Sequence, residues 1–306
     1  MAELTMHGHA AKPAWAPVGR PSDLSGAGAG RAFCQQVARL AVRSLHAELA
    51  LYPKPGLVSL VDNGSHTDMD AATFMRSMFA LRRYFLRIVA AGMQDASFHE
   101  LKRLGIEAEA RMLRATGGIN THRGAIFCRG LLCAAIGHCR AQGIALEPVN
   151  IQATLLANWG RELGAHSGDV HAHSHGVEAR QRYAASGARE EGARGFPSVF
   201  GVGLPALRRA LAAGRALREA RIDALFALMA HISDTNVYHR GGSGGALAVR
   251  RQARAFIARG ATAAPDWEAR ALASHRSFSA ARLSPGGAAD LLGAVCLLQS
   301  VCDGAP

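Results

Sequence analysis

Apolar residues recur at three- and four-residue spacing along most of this chain and almost never alternate. From residue 31, Phe33, Val37, Leu40, Ala41, Leu45 and Leu49 share one helical face, and Pro53 and Pro55 end that helix. A second stripe, Phe74, Met78, Leu81, Phe85 and Ile88, predicts a helix over 71–91, with Asp68 or Asp70 as its cap. Further helices are expected over 98–115, 125–142, 148–164, 204–213, 222–232 and 246–259, and a closing apolar helix inside 283–302. Residues 179–199 read as a helix running into a loop near Gly195, Phe196 and Pro197. Residues 1–30, rich in Ala, Gly and Pro without periodicity, read as a flexible leader. The expectation is a single all-α domain over 31–306, of roughly ten helices and without internal repeats.

Composition narrows the picture. Apolar residues make up 49% of the 306 positions, enough for a sizeable core. The six cysteines form no CxxC pair and sit inside apolar helical patterns, which reads as reduced core thiols in a cytoplasmic protein rather than a zinc or disulfide framework. No stretch has the apolar length of a signal peptide or a membrane span. The net charge of +12 comes almost wholly from arginine. It fits either a scattered basic surface or a site for a ligand bearing several phosphates, whose oxygens match the guanidinium fork. Nucleic acid is the weaker partner, because the aromatics fall at core spacing and the loops are acidic as well as basic.

Chemistry-bearing residues gather in the polar breaks between helices, where free backbone N–H groups suit anions. The connector LYPKPGLVSLVDNGSHTDMDAATF places Lys54 between two prolines and lets His66, Asp68 and Asp70 alternate. These are candidates for acid, base or metal-binding roles, with a plain helix cap as the bland alternative for Asp70. TGGINTHRG offers Asn120, Thr121, His122 and Arg123 just before a helix, either as a phosphate-facing loop or as a C-cap followed by an N-cap. GAREEGARGFP carries Arg189 and Glu191, SDTNVYHRGG carries Asp234, Asn236 and Arg240, and SPGGAADLL carries Asp290 in an apolar setting. Asp234 and Asn236, two apart, can share a cation if extended. His171, His173 and His175 read as a loop without a true metal site.

These segments, ELALYPKPGLVSLVDNGSHTDMDAATF, TGGINTHRGAIF, YAASGAREEGARGFPSVF, SDTNVYHRGG and LSPGGAADLL, together resemble the triphosphoribosyl-dephospho-CoA synthase family over about residues 33–303. That family often has Lys at the position of Arg123, which keeps the charge and changes the geometry. The resemblance implies an all-α enzyme that takes ATP and 3'-dephospho-CoA. The 2'-hydroxyl attacks the anomeric carbon of ATP, adenine leaves, and the triphosphate stays on the transferred sugar. The product is passed to a holo-acyl-carrier-protein synthase as prosthetic-group precursor for malonate decarboxylase or citrate lyase. It also implies magnesium beside the triphosphate. On this basis Lys54, Arg123, Arg189 and Arg240, with Asn120 and Thr121, would bind phosphates, and Glu191 would hold a ribose hydroxyl or anchor an arginine. Asp68, Asp70, His66 and His122 would be catalytic, and Asp68, Asp234, Asn236 and Asp290 would face the metal. The competing reading is a metal-dependent all-α phosphohydrolase acting on a nucleotide, which would release phosphate instead of adenine.

Overall fold

In a computed structural model of the chain, residues 24–168 and 188–304 are described. Among them there are eleven α-helices and no strand: α1 (Leu24–Leu49), α2 (Ala71–Met93), α3 (Phe98–Thr116), α4 (Arg123–Ala141), α5 (Pro148–Gly168), α6 (Ala188–Ala193), α7 (Leu204–Ala212), α8 (Leu217–His231), α9 (Thr235–Ala258), α10 (Trp267–Ala280) and α11 (Gly286–Cys302). A π-turn, Val199–Gly203, leads into α7, and a 3-10 turn, Ala261–Ala263, follows α9.

Two helices form the centre because they are apolar on every side. In α4 the run from Gly130 to Cys139 is buried throughout, and in α11 so is the run from Leu291 to Gln299. They pack on one another; α1, α2, α3 and α5 surround α4, while α1, α7, α8 and α9 surround α11. Close approach depends on small residues. A Cβ on Gly92 of α2 would stand 2.0 Å from the backbone oxygen of Ala134, and one on Gly137 would stand 2.3 Å from that of Val89. The α2–α4 crossing is therefore a near backbone-to-backbone contact.

The expected all-α architecture of roughly ten helices is what the described residues have, with four differences. The first helix begins at Leu24, so residues 24–30 belong to it; the remainder of the expected leader lies outside the described residues. The expected polar break over 233–245 is mostly helix. Helix α9 starts at Thr235 and is interrupted at Gly242, whose φ of 60° and ψ of −159° suit only glycine. The flanking glycines serve packing instead, since Cβ atoms on Gly241 and Gly245 would lie 2.4 and 2.8 Å from Leu283 Cδ2. Residues expected as loop before Leu283 contain α10. Its buried positions, Trp267, Ala271, Ser274, His275 and Phe278, keep helical spacing but are largely small or polar, which masks the stripe. The expected helix over 222–232 also starts earlier, at Leu217, where the Glu219 carboxylate accepts from the backbone N–H of Ala216.

The α2–α4 contact yields a direct test. Gly92→Ala forces a methyl into the Ala134 carbonyl and is expected to cost about 1–3 kcal/mol. A thermal melt should show a Tm several degrees lower, whereas Gly105→Ala, in open space on α3, should leave it unchanged or raise it.

Candidate active site

The stretch between α1 and α2 returns the chain to the core with a cation inside it. The Lys54 side chain is buried completely, and its Nζ donates to Glu48 Oε1 at 2.5 Å from the last turn of α1. Burial pushes the Lys54 ammonium below its ordinary range, opposed by the charges of Glu48 and Asp62. A buried ion pair of this kind is costly to form and costlier to break.

Beside it lies the start of α4. Asn120 Oδ1 accepts from Arg123 N at 3.1 Å and so closes the first turn. His122 is buried, and its Nδ1 is 2.6 Å from Ser77 Oγ of α2, with Phe74 edge-on to the ring at 5.0 Å. Burial, together with Arg129 and Lys54, pushes His122 down to about 3. The imidazole is therefore neutral at ordinary pH. Two turns further along the same face comes Arg129, only 1% exposed and permanently charged. Its guanidinium lies flat against α11, where a Cβ on Gly293 would be 1.3 Å from Nη2. Arg129 Nε and Nη1, His122 Nε2 and Thr121 Oγ1 are buried without a hydrogen-bond partner among the described residues. Unmet buried polar atoms at the start of α4 and two turns along it are what a ligand would satisfy.

Facing them is Asp290, in the second turn of α11. Its Oδ2 would lie 2.1 Å from a Cβ on Gly124, and its carboxyl accepts from the backbone of Ala125, so it sits at the N-terminus of α4. Burial of the carboxyl pushes Asp290 up to about 7; Arg129 opposes this, and Glu48 and Asp234 reinforce it. Part of the residue still reaches solvent, so this acid lines the margin of the cluster rather than its floor. Asp234, buried behind it, starts two helices at once: Oδ1 accepts from Asn236 N in α9, and Oδ2 accepts from Ala288 N in α11, each at 3.0 Å. Burial pushes this carboxyl up, against the pull of those N–H groups. A Cβ on Gly286 would be 2.9 Å from Asn236 Nδ2, which places that amide at the α11 start as well.

The outer margin is made by the rest of the connector. Arg240 of α9 donates to His66 Nδ1 at 3.1 Å, and His66 Nε2 is 2.8 Å from Ser284 Oγ, two residues before α11. Since the guanidinium can only donate, Nδ1 accepts and Nε2 carries the hydrogen. Burial and Arg240 push His66 down, against Asp68, whose Oδ1 is 3.5 Å from Nδ1.

The structure thus gathers Lys54, His66, Asp68, His122, Asp234, Asn236, Arg240 and Asp290 around the starts of α4, α9 and α11. Asp70 stands apart as the exposed N-cap of α2, accepting from Thr73 N and Oγ1. Arg123 is exposed and paired with Glu109 of α3 at 2.5 Å, turned from the cluster. Glu191 spends both oxygens on Ser198, accepting from its N–H and hydroxyl, although it lies near enough to Cys128 to share that neighbourhood with Asp290. Arg189 is half-buried in α6. His171, His173 and His175 lie outside the described residues. The candidates for metal ligation do not form a ready cage: among the described residues no three His, Cys, Asp or Glu converge on one point, and Asp234 has both oxygens engaged. Sequence reasoning missed Arg129, whose signal was a lone arginine inside the apolar run AIFCRGLLCAAIG.

Comparison with known proteins gives this cluster a context. The family model for ATP:dephospho-CoA triphosphoribosyl transferase matches residues 34–305. Similar chains include proteins named probable 2-(5''-triphosphoribosyl)-3'-dephosphocoenzyme-A synthase from Acinetobacter calcoaceticus, Azotobacter vinelandii and Pseudomonas putida. The first is 40% identical over 262 residues, covering 86% of this chain and 89% of the relative. The second is 41% identical over 280 residues, covering 87% and 91%. The third is 41% identical over 275 residues, covering 87% and 95%. No solved structure matches.

Two outcomes are expected from the cluster's electrostatics. Glu48→Ala strands a buried ammonium and should cost about 3–5 kcal/mol, read as a large fall in Tm. Between pH 5 and 8 His122, at about 3, does not change charge. His122→Asn should therefore change the rate without moving either limb of the pH–rate profile.

Proposed function

This chain belongs to the ATP:dephospho-CoA triphosphoribosyl transferase family, and from that membership we propose that it moves the 5-triphosphoribosyl group of ATP onto the 2'-hydroxyl of 3'-dephospho-CoA, releasing adenine. It is a triphosphoribosyl-dephospho-CoA synthase, and ATP and dephospho-CoA are its substrates. The observation that best supports a site for such a reaction is the meeting of buried Lys54 and Arg129 with Glu48, Asp234 and Asp290 at three helix starts. Cations and backbone N–H groups suit the triphosphate, and carboxylates suit a sugar that becomes positive.

In this reading the C1'–N9 bond of ATP breaks, its electron pair leaves with adenine, and the C1' centre gains oxocarbenium character as the ribose oxygen approaches. Asp290, the carboxyl at the open margin, stabilises that charge in its ionised form, which its rise to about 7 makes predominant only above that pH. The hydroxyl proton is lost and the adenine ring gains one. His122 is neutral, so it accepts or shares a proton and does not serve as an imidazolium acid. Lys54, Arg129 and Arg240 hold the phosphates, which stay intact, so they bind and orient. Asn120 and Thr121 support the α4 start, and His66 steadies Arg240. Magnesium would supply charge neutralisation for the triphosphate, and Asp68, an exposed carboxylate beside His66, would be the residue to hold it. Arg123, Asp70 and Glu191 are assigned to scaffolding by their present partners.

The product is handed to a holo-acyl-carrier-protein synthase for the carrier subunit of malonate decarboxylase or citrate lyase. Cytoplasmic residence fits the substrates and the six unpaired thiols, five of them buried. Among the described residues no helix is long and apolar enough to cross a membrane.

Incubation of the protein with ATP, magnesium and dephospho-CoA should yield free adenine, in step with product and without inorganic phosphate. Phosphate release without adenine would establish the phosphohydrolase instead. Arg129→Leu and Lys54→Met should each lower kcat/KM by about 10- to 100-fold, the worth of a charge-assisted hydrogen bond.

A further inference from the structure

The turn that carries Lys54 is gripped from behind by α10. His275 Nδ1 lies 2.8 Å from the backbone oxygen of Lys54, and His275 Nε2 lies 3.0 Å from Asp62 Oδ2. Both neighbours are acceptors. A peptide carbonyl has no hydrogen to give, and an ionised carboxylate has none either. Nδ1 therefore donates to the Lys54 carbonyl, and Nε2 faces the Asp62 carboxyl. Asp62 is itself fixed in a tight turn: its Oδ1 accepts from Gly64 N at 2.9 Å, and its backbone oxygen accepts from Ser59 N at 2.8 Å. The Tyr52 ring meets His275 edge-on at 5.6 Å. The Lys54 oxygen also accepts from Leu57 N at 3.1 Å, so it is held from two directions.

His275 is 6% exposed and sits among Trp267, Ala271 and Phe278 on the buried face of α10. An apolar residue would fill that space more cheaply, but it would leave the Lys54 carbonyl and the Asp62 carboxylate short of a donor. Neither His275 nor Asp62 belongs to the cluster at the helix starts. Among the described residues their hydrogen-bonded link to it runs through the backbone of Lys54, and the Asp62 charge also acts on the Lys54 ammonium.

We propose that Asp62 and His275 are positioning residues for Lys54: a carboxylate–imidazole–carbonyl chain fixes the backbone from which the Lys54 ammonium reaches the nucleotide. This rests on the reading of Lys54 as a phosphate-binding residue, and the experiment separates the two.

The full-length chain is assayed for adenine release with ATP varied, as Lys54→Met, His275→Leu, His275→Asn, Asp62→Ala and the double variant Lys54→Met/His275→Leu, with a thermal melt of each. His275→Leu is expected to raise KM for ATP about tenfold, the effect of misplacing a binding group by a fraction of an ångström. His275→Asn, whose side-chain amide can donate where Nδ1 did, should recover most of the loss. Asp62→Ala, in a partly exposed loop, should raise KM in the same direction even if His275→Leu fails to fold. In the Lys54→Met background His275→Leu should add less than about twofold, the signature of residues acting as one unit. A KM for ATP unchanged in both His275→Leu and Asp62→Ala, with Lys54→Met impaired, overturns the positioning role alone. An effect of His275→Leu as large in the Lys54→Met background as in the parent also overturns it. An unchanged KM in Lys54→Met overturns the phosphate-binding reading of Lys54 and the positioning role with it.

Discussion

An ammonium with no access to water has to be answered within the protein, and the Lys54–Glu48 pair is where this fold answers it. Glu48 can be there only because α1 runs on to Leu49 and stops beside the cluster. Lys54 can reach it only because the connector folds back under α10 and the approach to α11, where Ser65 Oγ donates to the Leu283 carbonyl at 2.5 Å. The charged centre is thus built into the core. Hydrophobic burial supplies the stability, and the pair ties the last turn of α1 to the connector.

The same logic explains why α4 and α11 are so uniformly apolar yet contain Arg129 and Asp290. Small residues let the two helices approach until Gly293 lies under the guanidinium and Gly124 lies under the carboxylate. With no bulk between them, the opposite charges share a confined volume with Lys54 and His122. Their effects on one another are then large because little water screens them. Burial depresses His122 and elevates Asp290, and Arg129 adds to the first shift and opposes the second.

Much of this was legible in the sequence, for physical reasons that also mark the limits. Apolar patterning gave α2 and α4 to within two residues at each end, because strong patterning leaves few other ways to bury those side chains, whereas α1 begins seven residues before its expected start. Helix α10 was hidden because its buried face holds Ser274 and His275, which pattern reasoning scores as polar. The first half of α9 was hidden because TNVYHRGGSGG resembles a loop in composition, while Gly241 and Gly245 admit Leu283 and Gly242 makes the interruption. Lys54, Asp234 and Asp290 were legible as charged residues at odds with their surroundings. Arg129 carried the same signal and was passed over, and His275 carried none, since its partners Lys54 and Asp62 lie more than 200 positions away and only the fold brings them near. Asp70 and Arg123 were named for their types, and local partners occupy them.

Asp234 joins residues separated by 54 positions, since one carboxylate caps the opening turns of both α9 and α11. A helix end normally frays on its own. Here loosening either end strips a partner from the other, so the two ends should open and close as a single cooperative unit on the timescale of amide exchange. The cluster they frame should therefore show few half-formed states, its helix starts being assembled or lost together.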